Sequence, residues 1–409
     1  MTGGKLHDGD DLISLDAAVE RVRALRSAWL PSLETERVPL DDLAGRTLAE
    51  PVHAPIDVPE RSHATMDGFA FDATEDYPLE VVDDPVYPED EPPTLEPGTA
   101  VRIATGSPVP ESANAVLKRE EASVEDGRLT GTALEPGTYV YERGSNVSEG
   151  ERLFDADERL GAKDALLLGD LGIDEVSVRD RASVGLLATG TEIHEGHHRD
   201  LDSPMLAGLA RSWGHEATYE GSVPDENDRV ESRIDDLARE HDIVVTTGGT
   251  SVGDKDYVVR ALASLGEVLF HRVRLRPGKP IAVARLPDHD AVAFAIPGKP
   301  VGAYLVTALV ARPFFTDDTD LPTVSAQLAR DVGIGTPGFT YAVPVTLDDG
   351  TAMPLGHTDS ALPVYEETFD PSVLSSSTRA SRADGFVLTT DALAADETVD
   401  VVPSTALER

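Results

Sequence analysis

A glycine- and hydroxyl-rich run in the middle of the chain has the residue types of an oxyanion-binding loop. The apolar segment 243–245 leads into Thr246-Thr247-Gly248-Gly249-Thr250-Ser251-Val252-Gly253. Glycines let the backbone approach a ligand closely, so that successive N–H groups converge on an anion, and the hydroxyl groups add donors. Asp254 and Asp256 follow, and carboxylates beside such a loop indicate a divalent cation. Taken alone, the segment also fits an ordinary strand-to-helix turn.

Four further turns carry groups suited to binding ions. Thr105-Gly106 and Thr189-Gly190 each end an apolar run, and a threonine hydroxyl beside a glycine amide makes an oxyanion contact. Arg143 precedes Gly144, which places a planar guanidinium beside a turn. Asp67-Gly68 is a hairpin signal between two apolar stretches. Asp67-Gly68 also fits a plain hairpin, and Thr105-Gly106 a plain β turn, when each is considered by itself.

Basic residues are concentrated in the same part of the chain. Three of its six lysines, Lys255, Lys279 and Lys299, follow or border the glycine-rich run. A strand predicted over 268–275 leads to Arg276, and its alternate arginines would share one face. These arginines are Arg272, Arg274 and Arg276. In a chain that otherwise avoids lysine, the concentration indicates a bound anion, although chance clustering would also explain it.

Residues 181–316 supply the elements that would position these groups. Strand and helix patterns alternate along this segment, as in a doubly wound α/β domain. In open parallel sheets, ligands bind beyond the carboxyl ends of the strands. Polar or glycine-rich turns follow four of the predicted strands, after Ala188, Val245, Leu275 and Ala295. Their convergence predicts one site at that edge of the sheet.

The rest of the chain predicts an α/β multidomain protein. Apolar spacing predicts a helix over 12–30, capped by Ser14, and a second short helix over 41–50. Short alternating segments elsewhere are typical of small β domains. The predicted domains are a helical linker domain (10–61 with 147–180), an inserted β domain (62–146), the central α/β domain (181–316) and a C-terminal β barrel (317–409).

The chain is strongly acidic and contains no cysteine. Its 409 residues carry a formal net charge of −40, which opposes binding to nucleic acid and to anionic membranes. Without cysteine there are no disulfides, thiolate metal sites or cysteine nucleophiles. Dispersed acidic residues with few lysines are typical of proteins that stay hydrated in concentrated salt. The polar N-terminus and the lack of a long apolar run indicate a cytoplasmic protein.

Taken together, the motifs resemble those of the molybdopterin molybdenumtransferase family, to which the carboxyl-terminal domain of gephyrin belongs. The resemblance covers nearly the whole chain in the expected order. It rests on Met66-Asp67-Gly68-Phe69-Ala70, Thr105-Gly106-Ser107-Pro108-Val109-Pro110, Thr189-Gly190-Thr191-Glu192, the segment from Gly248 to Tyr257, Arg276-Pro277-Gly278-Lys279-Pro280 and Pro297-Gly298-Lys299-Pro300-Val301.

This resemblance implies a pterin-binding α/β domain and a magnesium-dependent reaction. Molybdate is inserted into adenylylated molybdopterin, the adenylate bond is cleaved and AMP leaves. The family also implies a homodimer whose site is completed by the inserted domain of the partner subunit, and possible apoenzymes that receive the cofactor. The glycine-rich run would bind the pterin-side phosphate of the nucleotide-activated substrate.

Roles carry over to residues that match the family motifs. The implied catalytic residues are Asp67, Thr105, Glu192, Asp256 and Lys279, and the implied metal ligands are Glu192 and Asp225. The implied substrate-binding residues are Gly248, Gly249, Thr250, Ser251, Gly253, Arg276, Pro297, Pro300, Arg143 and Ser375. Cleavage of a phosphoanhydride needs its oxygens neutralised by a cation and by basic groups, and these residue types supply both.

The chain departs from the family pattern at several positions. Thr191 and Asn146 stand where the family usually has aspartate, Lys299 replaces an asparagine, Gly302 a serine, and Arg276 a frequent lysine. A changed oxyanion preference is one consequence, with tungstate in place of molybdate. Two different functions also fit these residues, a non-catalytic carrier or scaffold for molybdopterin and a nucleotide pyrophosphate hydrolase on the same fold.

Overall fold

The computed structural model describes residues 12–249 and 256–408, which form two compact units. The first unit contains the residues up to Glu36 together with those from Arg179 onward, and the second contains Arg37–Val178. In the described parts of the chain, no helix has both the length and the apolar composition needed to cross a bilayer.

Helices and strands are numbered in chain order. The helices are α1 (Leu15–Trp29), α2 (Asp164–Asp170), α3 (Thr191–His194), α4 (Asp202–Ser212), α5 (Asn227–Glu240), α6 (Tyr257–Leu265), α7 (Pro300–Val306), α8 (Arg312–Thr316), α9 (Pro371–Leu374) and α10 (Ser404–Leu407). The strands up to residue 179 are β1 (Thr35–Pro39), β2 (Val52–His53), β3 (His63–Ala64), β4 (Gly68–Phe71), β5 (Leu79–Val86), β6 (Thr99–Ile103), β7 (Ala115–Lys118), β8 (Ser123–Glu125), β9 (Arg128–Thr130), β10 (Val140–Tyr141), β11 (Arg152–Phe154) and β12 (Glu175–Arg179). The later strands are β13 (Ser183–Thr189), β14 (Glu216–Val223), β15 (Ile243–Thr247), β16 (Glu267–His271), β17 (Leu275–Arg276), β18 (Ala282–Leu286), β19 (Ala291–Ile296), β20 (Val324–Leu328), β21 (Thr340–Asp348), β22 (Thr351–Pro354), β23 (Gly385–Thr389) and β24 (Thr398–Pro403).

The first unit is built around a six-stranded sheet in the order β14-β13-β15-β19-β18-β16. The strands β14, β13, β15 and β19 pair in parallel, while β18 runs antiparallel to both of its neighbours. Successive side chains of a strand point to opposite faces. Accordingly, Ile243 and Val245 join the core that contains α1, α4, α7 and α8, whereas Val244 joins the core with α5 and α6. Helices therefore cover both faces, which confirms the predicted doubly wound α/β fold.

The order of this sheet creates a crevice between two strands. From β13 the chain passes to β14 on one side and then crosses to β15 on the other side. At such a reversal the loops leave in opposite directions, and ligands of doubly wound folds bind in the gap between them. Here the gap lies beyond Thr189 and Thr247, where the two Thr-Gly turns begin.

The first helix packs within the first unit rather than within a separate helical domain. Ser14 caps α1 by accepting a hydrogen bond from the Ala17 N–H, as predicted. The buried face of α1 includes Ala18, Val22 and Trp29, and the Trp29 ring lies 4.9 Å from that of Phe314. This face joins the α/β core because Trp29 offers it a large apolar surface.

In the second unit, residues 41–50 do not form the predicted helix. After a short 3₁₀ turn at Leu40–Asp42, the backbone of Leu48 pairs with Val178 and that of Thr47 with Arg159. Those bridges satisfy backbone groups that a helix would have satisfied internally. The unit also contains a six-stranded sheet in the order β7-β4-β6-β5-β9-β8, which confirms a small β domain within the predicted inserted segment. The four predicted domain boundaries themselves stay predictions.

The strand predicted over 268–275 is interrupted, so its arginines do not share one face. Strand β16 ends at His271, and Arg272 has a positive φ of 85°. The chain turns there because the Arg272 N–H donates to Ile281 O and the Val273 N–H donates to Lys279 O. Strand β17 then pairs with β21 in another sheet.

The C-terminal part of the first unit is a closed β barrel. Its five strands follow the order β21-β22-β20-β24-β23, and β23 pairs back on β21. Closure removes free strand edges. The buried side chains of Val343, Val387 and Val401 fill its interior. The predicted C-terminal barrel is confirmed.

Candidate active site

A cavity of about 290 Å³ lies at the carboxyl ends of β13 and β15. It is therefore at the crevice that the strand order creates. The residues that line it come from the segments after β13, β14 and β15, from the entry into α4 and from the start of α7 with the loop before it. They are Thr189, Gly190, Glu192, Ile193, Arg199, Asp200, Leu201, Asp202, Asp225, Thr247, Gly248, Gly249, Gly298 and Pro300.

The glycine turn after β15 has a shape that only glycine accepts. Gly248 and Gly249 have φ values of 82° and 64°, and a Cβ on Gly248 would lie 2.8 Å from Thr189 O. The Thr189 hydroxyl donates to Thr247 O at 2.8 Å, which ties the two strand ends together. The Gly248 N–H donates to Ile296 O and is not available to an anion. The predicted ligands Thr250, Ser251 and Gly253 lie outside the described residues.

Carboxylates form one wall of this cavity. The predicted metal ligands Glu192 and Asp225 both line it, and the Asp225 N–H donates to the Thr191 hydroxyl at 3.2 Å. Thr191, which stands where the family usually has aspartate, thus helps to hold the turn that carries Asp225. Two further carboxylates in the cavity, Asp200 and Asp202, were not predicted from the sequence.

Asp200 and Asp202 lie where the chain enters α4. Asp200 Oδ1 accepts hydrogen bonds from the N–H groups of Asp202 and Ser203, both at 3.1 Å. Asp202 is only 7% exposed, and burial together with the neighbouring Asp200 charge raises its pKa to about 6. An aspartate two residues before a helix is a recognised cap signal, and it could have drawn attention to this segment.

Cations gather around the Pro277–Pro280 turn. Burial lowers the pKa of the Lys279 ammonium, and the nearby guanidinium groups of Arg272 and Arg276 lower it further. Arg276 Cζ stacks 4.3 Å from the centroid of the Phe339 ring, and Arg274 Cζ lies 5.9 Å from it. Like charges brought together at a half-buried place favour an anion between them.

Asp256 lies beside this cationic group. Its side chain caps α6 by accepting from the Val259 N–H, and its Oδ2 is 3.5 Å from His271 Nε2. Burial raises the pKa of Asp256 to about 6, although the Val259 N–H and Arg272 act in the opposite direction. The sequence did not single out His271. Its position between an apolar strand and the arginines was the available signal.

The loops before α7 bring the remaining predicted residues of the first unit together. Pro297 follows β19 directly, and Pro300 begins α7 and lines the cavity. The Val301 N–H donates to Ser375 O, while the buried Ser375 hydroxyl donates to Ser372 O. Ser375 therefore lies against the start of α7, with its hydroxyl proton already used.

The second unit holds Asp67, Thr105 and Arg143. The Thr105 N–H and hydroxyl both donate to Asp67 Oδ1, at 2.7 and 2.6 Å, and these bonds lower the pKa of the Asp67 carboxyl. Arg143 donates from Nε to Asp57 Oδ2 at 2.6 Å and is not within that pair. The Asn146 N–H donates to Val58 O. The structure thus brings Asp67 and Thr105 together and places Arg143 in a separate ion pair.

One other set of side chains has a spacing suited to a metal ion. Among the residues that the structure describes, Glu220, Glu240 and His241 offer three ligand atoms within 4.8 Å of one another. His241 precedes β15, whereas the candidate site follows that strand. Neither Glu192 nor Asp225 belongs to this set, so any ion they hold needs oxygens from water or substrate.

Comparison with known proteins identifies the family. Residues 13–172 match a family model described as the MoeA N-terminal region (domain I and II), and residues 185–317 match one described as a probable molybdopterin binding domain. A molybdopterin molybdenumtransferase of Synechococcus elongatus is 30% identical over 322 residues, which are 74% of this chain and 79% of the relative. The enzyme of the same name from Bacillus subtilis is 31% identical over 380 residues, 83% of this chain and 87% of the relative. The chain belongs to the molybdopterin molybdenumtransferase family.

A solved structure agrees with this assignment. The molybdopterin biosynthesis MoeA protein of Pyrococcus horikoshii superposes with a TM-score of 0.69 at 27% identity, covering 96% of this chain and 99% of that one. As a member of the molybdopterin molybdenumtransferase family, the protein is a transferase of molybdenum cofactor biosynthesis. The resemblance inferred from its motifs is confirmed.

Proposed function

We propose that this transferase inserts molybdate into adenylylated molybdopterin, with magnesium-dependent cleavage of the adenylate bond and release of AMP. The observation that carries the proposal is the arrangement at one edge of the sheet. Carboxylates and a glycine turn line one cavity at the crevice, and a cluster of cations lies in the same unit. Phosphoanhydride cleavage with an oxyanion nucleophile requires both kinds of group.

The cations would hold the anionic reactants. Lys279 and Arg276 lie close enough to each other to lower the pKa of the lysine, so a tetrahedral dianion between them would relieve that repulsion. Stacking on Phe339 orients the Arg276 guanidinium and limits the rotamer freedom that would be lost on binding.

The donor set at the crevice fits Mg²⁺. Glu192 and Asp225 offer carboxylate oxygens to one cavity and leave positions for water and phosphate oxygens, as this ion prefers. In the proposal these two residues hold the ion, which would neutralise charge on the phosphate oxygens. Asp256 would act beside the cations, because a carboxylate whose pKa is about 6 can take up and release a proton near neutrality.

The proposal includes a homodimer in which Asp67 and Thr105 of one subunit complete the site of the other. The homodimer is inferred from the family resemblance. It is supported by the two hydrogen bonds through which Asp67 holds the Thr105 turn. The proposal also includes a concentrated-salt environment, since screening would offset the self-repulsion of a chain with a net charge of −40.

The test is reconstitution with purified protein in concentrated salt. Adenylylated molybdopterin, Mg²⁺ and molybdate are added, and AMP release is followed together with activation of a cofactor-free molybdoenzyme. Both signals should appear, and both should be lost when molybdate or Mg²⁺ is left out. Binding without either signal would establish the carrier, and AMP release from pyrophosphate substrates lacking a pterin would establish the hydrolase.

Tungstate is a second candidate substrate because of one position beside the cations. Gly302 replaces a common serine, and a Cβ there would lie 3.5 Å from Gly278 N and 3.7 Å from the Cβ of Ser375. The missing hydroxyl removes a potential donor to an oxyanion at this place. Competition between molybdate and tungstate in the same assay decides which is preferred, and Gly302→Ser should shift the ratio if this position sets it.

A further inference from the structure

A second cavity, of about 560 Å³, adjoins the candidate site. Both cavities are lined by Leu201, Asp202 and Pro300, so these residues form the boundary between them. The first cavity is rich in carboxylates and glycine, whereas the second runs between α4, α7 and the barrel and has largely apolar walls. A ligand with a polar phosphate part and a flat, less polar part could extend across this boundary.

Asp202 at the boundary is incompletely bonded. It is 7% exposed, and its Oδ1 atom is buried with no hydrogen-bond partner among the described residues. Buried carboxylate oxygens almost always accept hydrogen bonds in folded proteins. An acceptor between two cavities that has no donor among the described residues is available to accept from a ligand.

The walls of the second cavity suit a flat ring system. Tyr304 and Phe386 lie side by side, with ring centroids 6.0 Å apart, and Met205 and Leu209 complete the apolar surface. The Tyr304 hydroxyl is held in place, since it donates to Ser404 O at 3.3 Å. Aromatic and thioether side chains in fixed positions make favourable contacts with a conjugated heterocycle.

We propose that this second cavity binds the pterin ring of the substrate, with Asp202 accepting hydrogen bonds from its N3–H and 2-amino groups. These two donors lie side by side on one edge of the ring, and an ionised carboxylate accepts on both oxygens. The adenine ring of the same substrate is the other flat aminated heterocycle. Its exposed edge alternates a donor with an acceptor, which matches an ionised carboxylate less well.

The assignment of the ligand rests on the proposed function, because that function supplies a pterin linked to a nucleotide. The phosphate part would then lie at the Gly248–Gly249 turn and the pterin beyond Asp202. Whichever reaction follows, the buried Asp202 carboxylate lies at the mouth of an apolar cavity, and its Oδ1 atom has no donor among the described residues.

Gly208 offers a way to fill the cavity without disturbing the fold. It is an exposed residue inside α4 that lines the cavity, and a Cβ added there would meet nothing within 4 Å. Gly208→Leu should therefore raise the melting temperature, because glycine is a poor helix former, while its side chain occupies the space. Gly169→Leu is the matched control, since Gly169 is an exposed glycine inside α2 whose added Cβ would lie 3.6 Å from Leu40.

The experiment measures binding of 6-hydroxymethylpterin and, separately, of AMP to the full-length protein without metal or oxyanion. Wild type and Gly169→Leu should bind the pterin equally. Gly208→Leu should weaken pterin binding at least about tenfold, and Asp202→Asn by about 10–100-fold, as expected for hydrogen bonds to a charged group. AMP binding should be unchanged by either substitution.

Three outcomes of these binding measurements, and one of a separate turnover assay, would overturn the inference. The three are no detectable pterin binding at millimolar concentration, pterin binding that neither Gly208→Leu nor Asp202→Asn reduces, and a loss of AMP binding in place of pterin binding. The last outcome would assign the cavity to the purine. The binding experiment does not depend on turnover, so the proposed reaction can fail while pterin binding stands. Conversely, in a separate turnover assay, full activity of Gly208→Leu would remove the cavity from the reaction and leave the proposed function intact.

Discussion

The carboxylates of Asp67 and Asp202, one in each unit, differ in burial, in hydrogen bonding and in the direction of their pKa shifts. Asp67 in the second unit accepts two hydrogen bonds from Thr105, and these bonds lower its pKa. Asp202 in the first unit is buried, its Oδ1 atom has no partner among the described residues, and burial raises its pKa to about 6. The same functional group is thus exposed, with two donors on one oxygen, in one place, and buried, with one oxygen lacking a described donor, in the other.

The difference separates residues that shape a loop from residues that receive a ligand. Asp67 organises the Thr105-Gly106 turn, so substrate would meet the turn that Asp67 holds. Asp202 contributes nothing comparable to the fold, and leaving such a group without a donor costs about 1–3 kcal/mol. Natural proteins keep costs of that size where function needs them.

The largest expected effect concerns Lys279, which, like Asp202, lies near groups of its own charge. The charged neighbours that act on its pKa, Arg272 and Arg276, are both cations. Lys279→Met keeps the length of the side chain and removes the charge, and AMP release should fall by about 10²–10³-fold, as for loss of one group that stabilises developing anionic charge. The melting temperature should not fall, because the substitution removes repulsion.

Arg274→Met is the control for this prediction. Its side chain is exposed and lies farther from Phe339 than that of Arg276, and it is not among the groups that shift the Lys279 pKa. It should release AMP close to the wild-type rate. If Lys279→Met lowered the melting temperature while keeping its activity, Lys279 would belong with the residues that shape the fold.

The next prediction tests whether Asp67 acts through Thr105 or through its own charge. Asp67→Ala removes the acceptor, so the Thr105 turn loses its support and cofactor formation should fall by about 10–100-fold, the effect of misplacing a positioned group. Asp67→Asn keeps an oxygen that can accept from the Thr105 N–H and hydroxyl, and it should retain most of the activity. The readout is cofactor formation by both variants at equal folded concentration, checked by circular dichroism.

Equal losses of cofactor formation in Asp67→Asn and Asp67→Ala would contradict the view that Asp67 acts by holding the Thr105 turn. The charge of Asp67 would then be required, and the catalytic role implied by the family resemblance would apply to its carboxylate directly. Thr105→Val provides an independent check, because it removes the hydroxyl and leaves the N–H bond to Asp67.

Much of the fold could be predicted from the sequence because its signals are local. The first helix was predicted over 12–30 with Ser14 as its cap, and the structure has α1 at Leu15–Trp29 with that cap. The continuous apolar strands that end at Ala188 and Ala295 were also expected, since strands buried on both faces need apolar residues at every position, and each extends one residue farther in the structure. The break at Arg272 could not be predicted, because it depends on hydrogen bonds to Ile281 and Lys279, which follow it along the chain.

The site was predicted less completely than the fold. The strand ends and their Thr-Gly turns could be located, because the carboxyl edge of a parallel sheet follows from the order of its elements. Asp200 and Asp202 were missed, since in so acidic a chain an aspartate before a helix indicates a cap and not a ligand-binding site. Their significance lies in the two buried oxygens, Asp200 Oδ2 and Asp202 Oδ1, that have no donor among the described residues, which only packing determines.

The smallest expected effect is a pH-dependent change in the free energy of unfolding, and it concerns Asp202. Its pKa is 3.8 in an exposed reference state and about 6 in the folded protein, so between these values the folded protein binds more protons than the unfolded chain. The stability contributed by the protonated carboxyl is complete below about pH 4 and is lost as the pH rises through about 6.

The side chain introduced by Asp202→Asn does not ionise, so this variant does not lose stability in that pH range. The variant should therefore match wild type near pH 4 and exceed its free energy of unfolding by roughly 1–3 kcal/mol at pH 8. Urea unfolding of both proteins in concentrated salt across this range measures the difference. A constant difference at all pH values would mean that the carboxyl already has a partner in the folded protein, and Asp202 would then resemble Asp67.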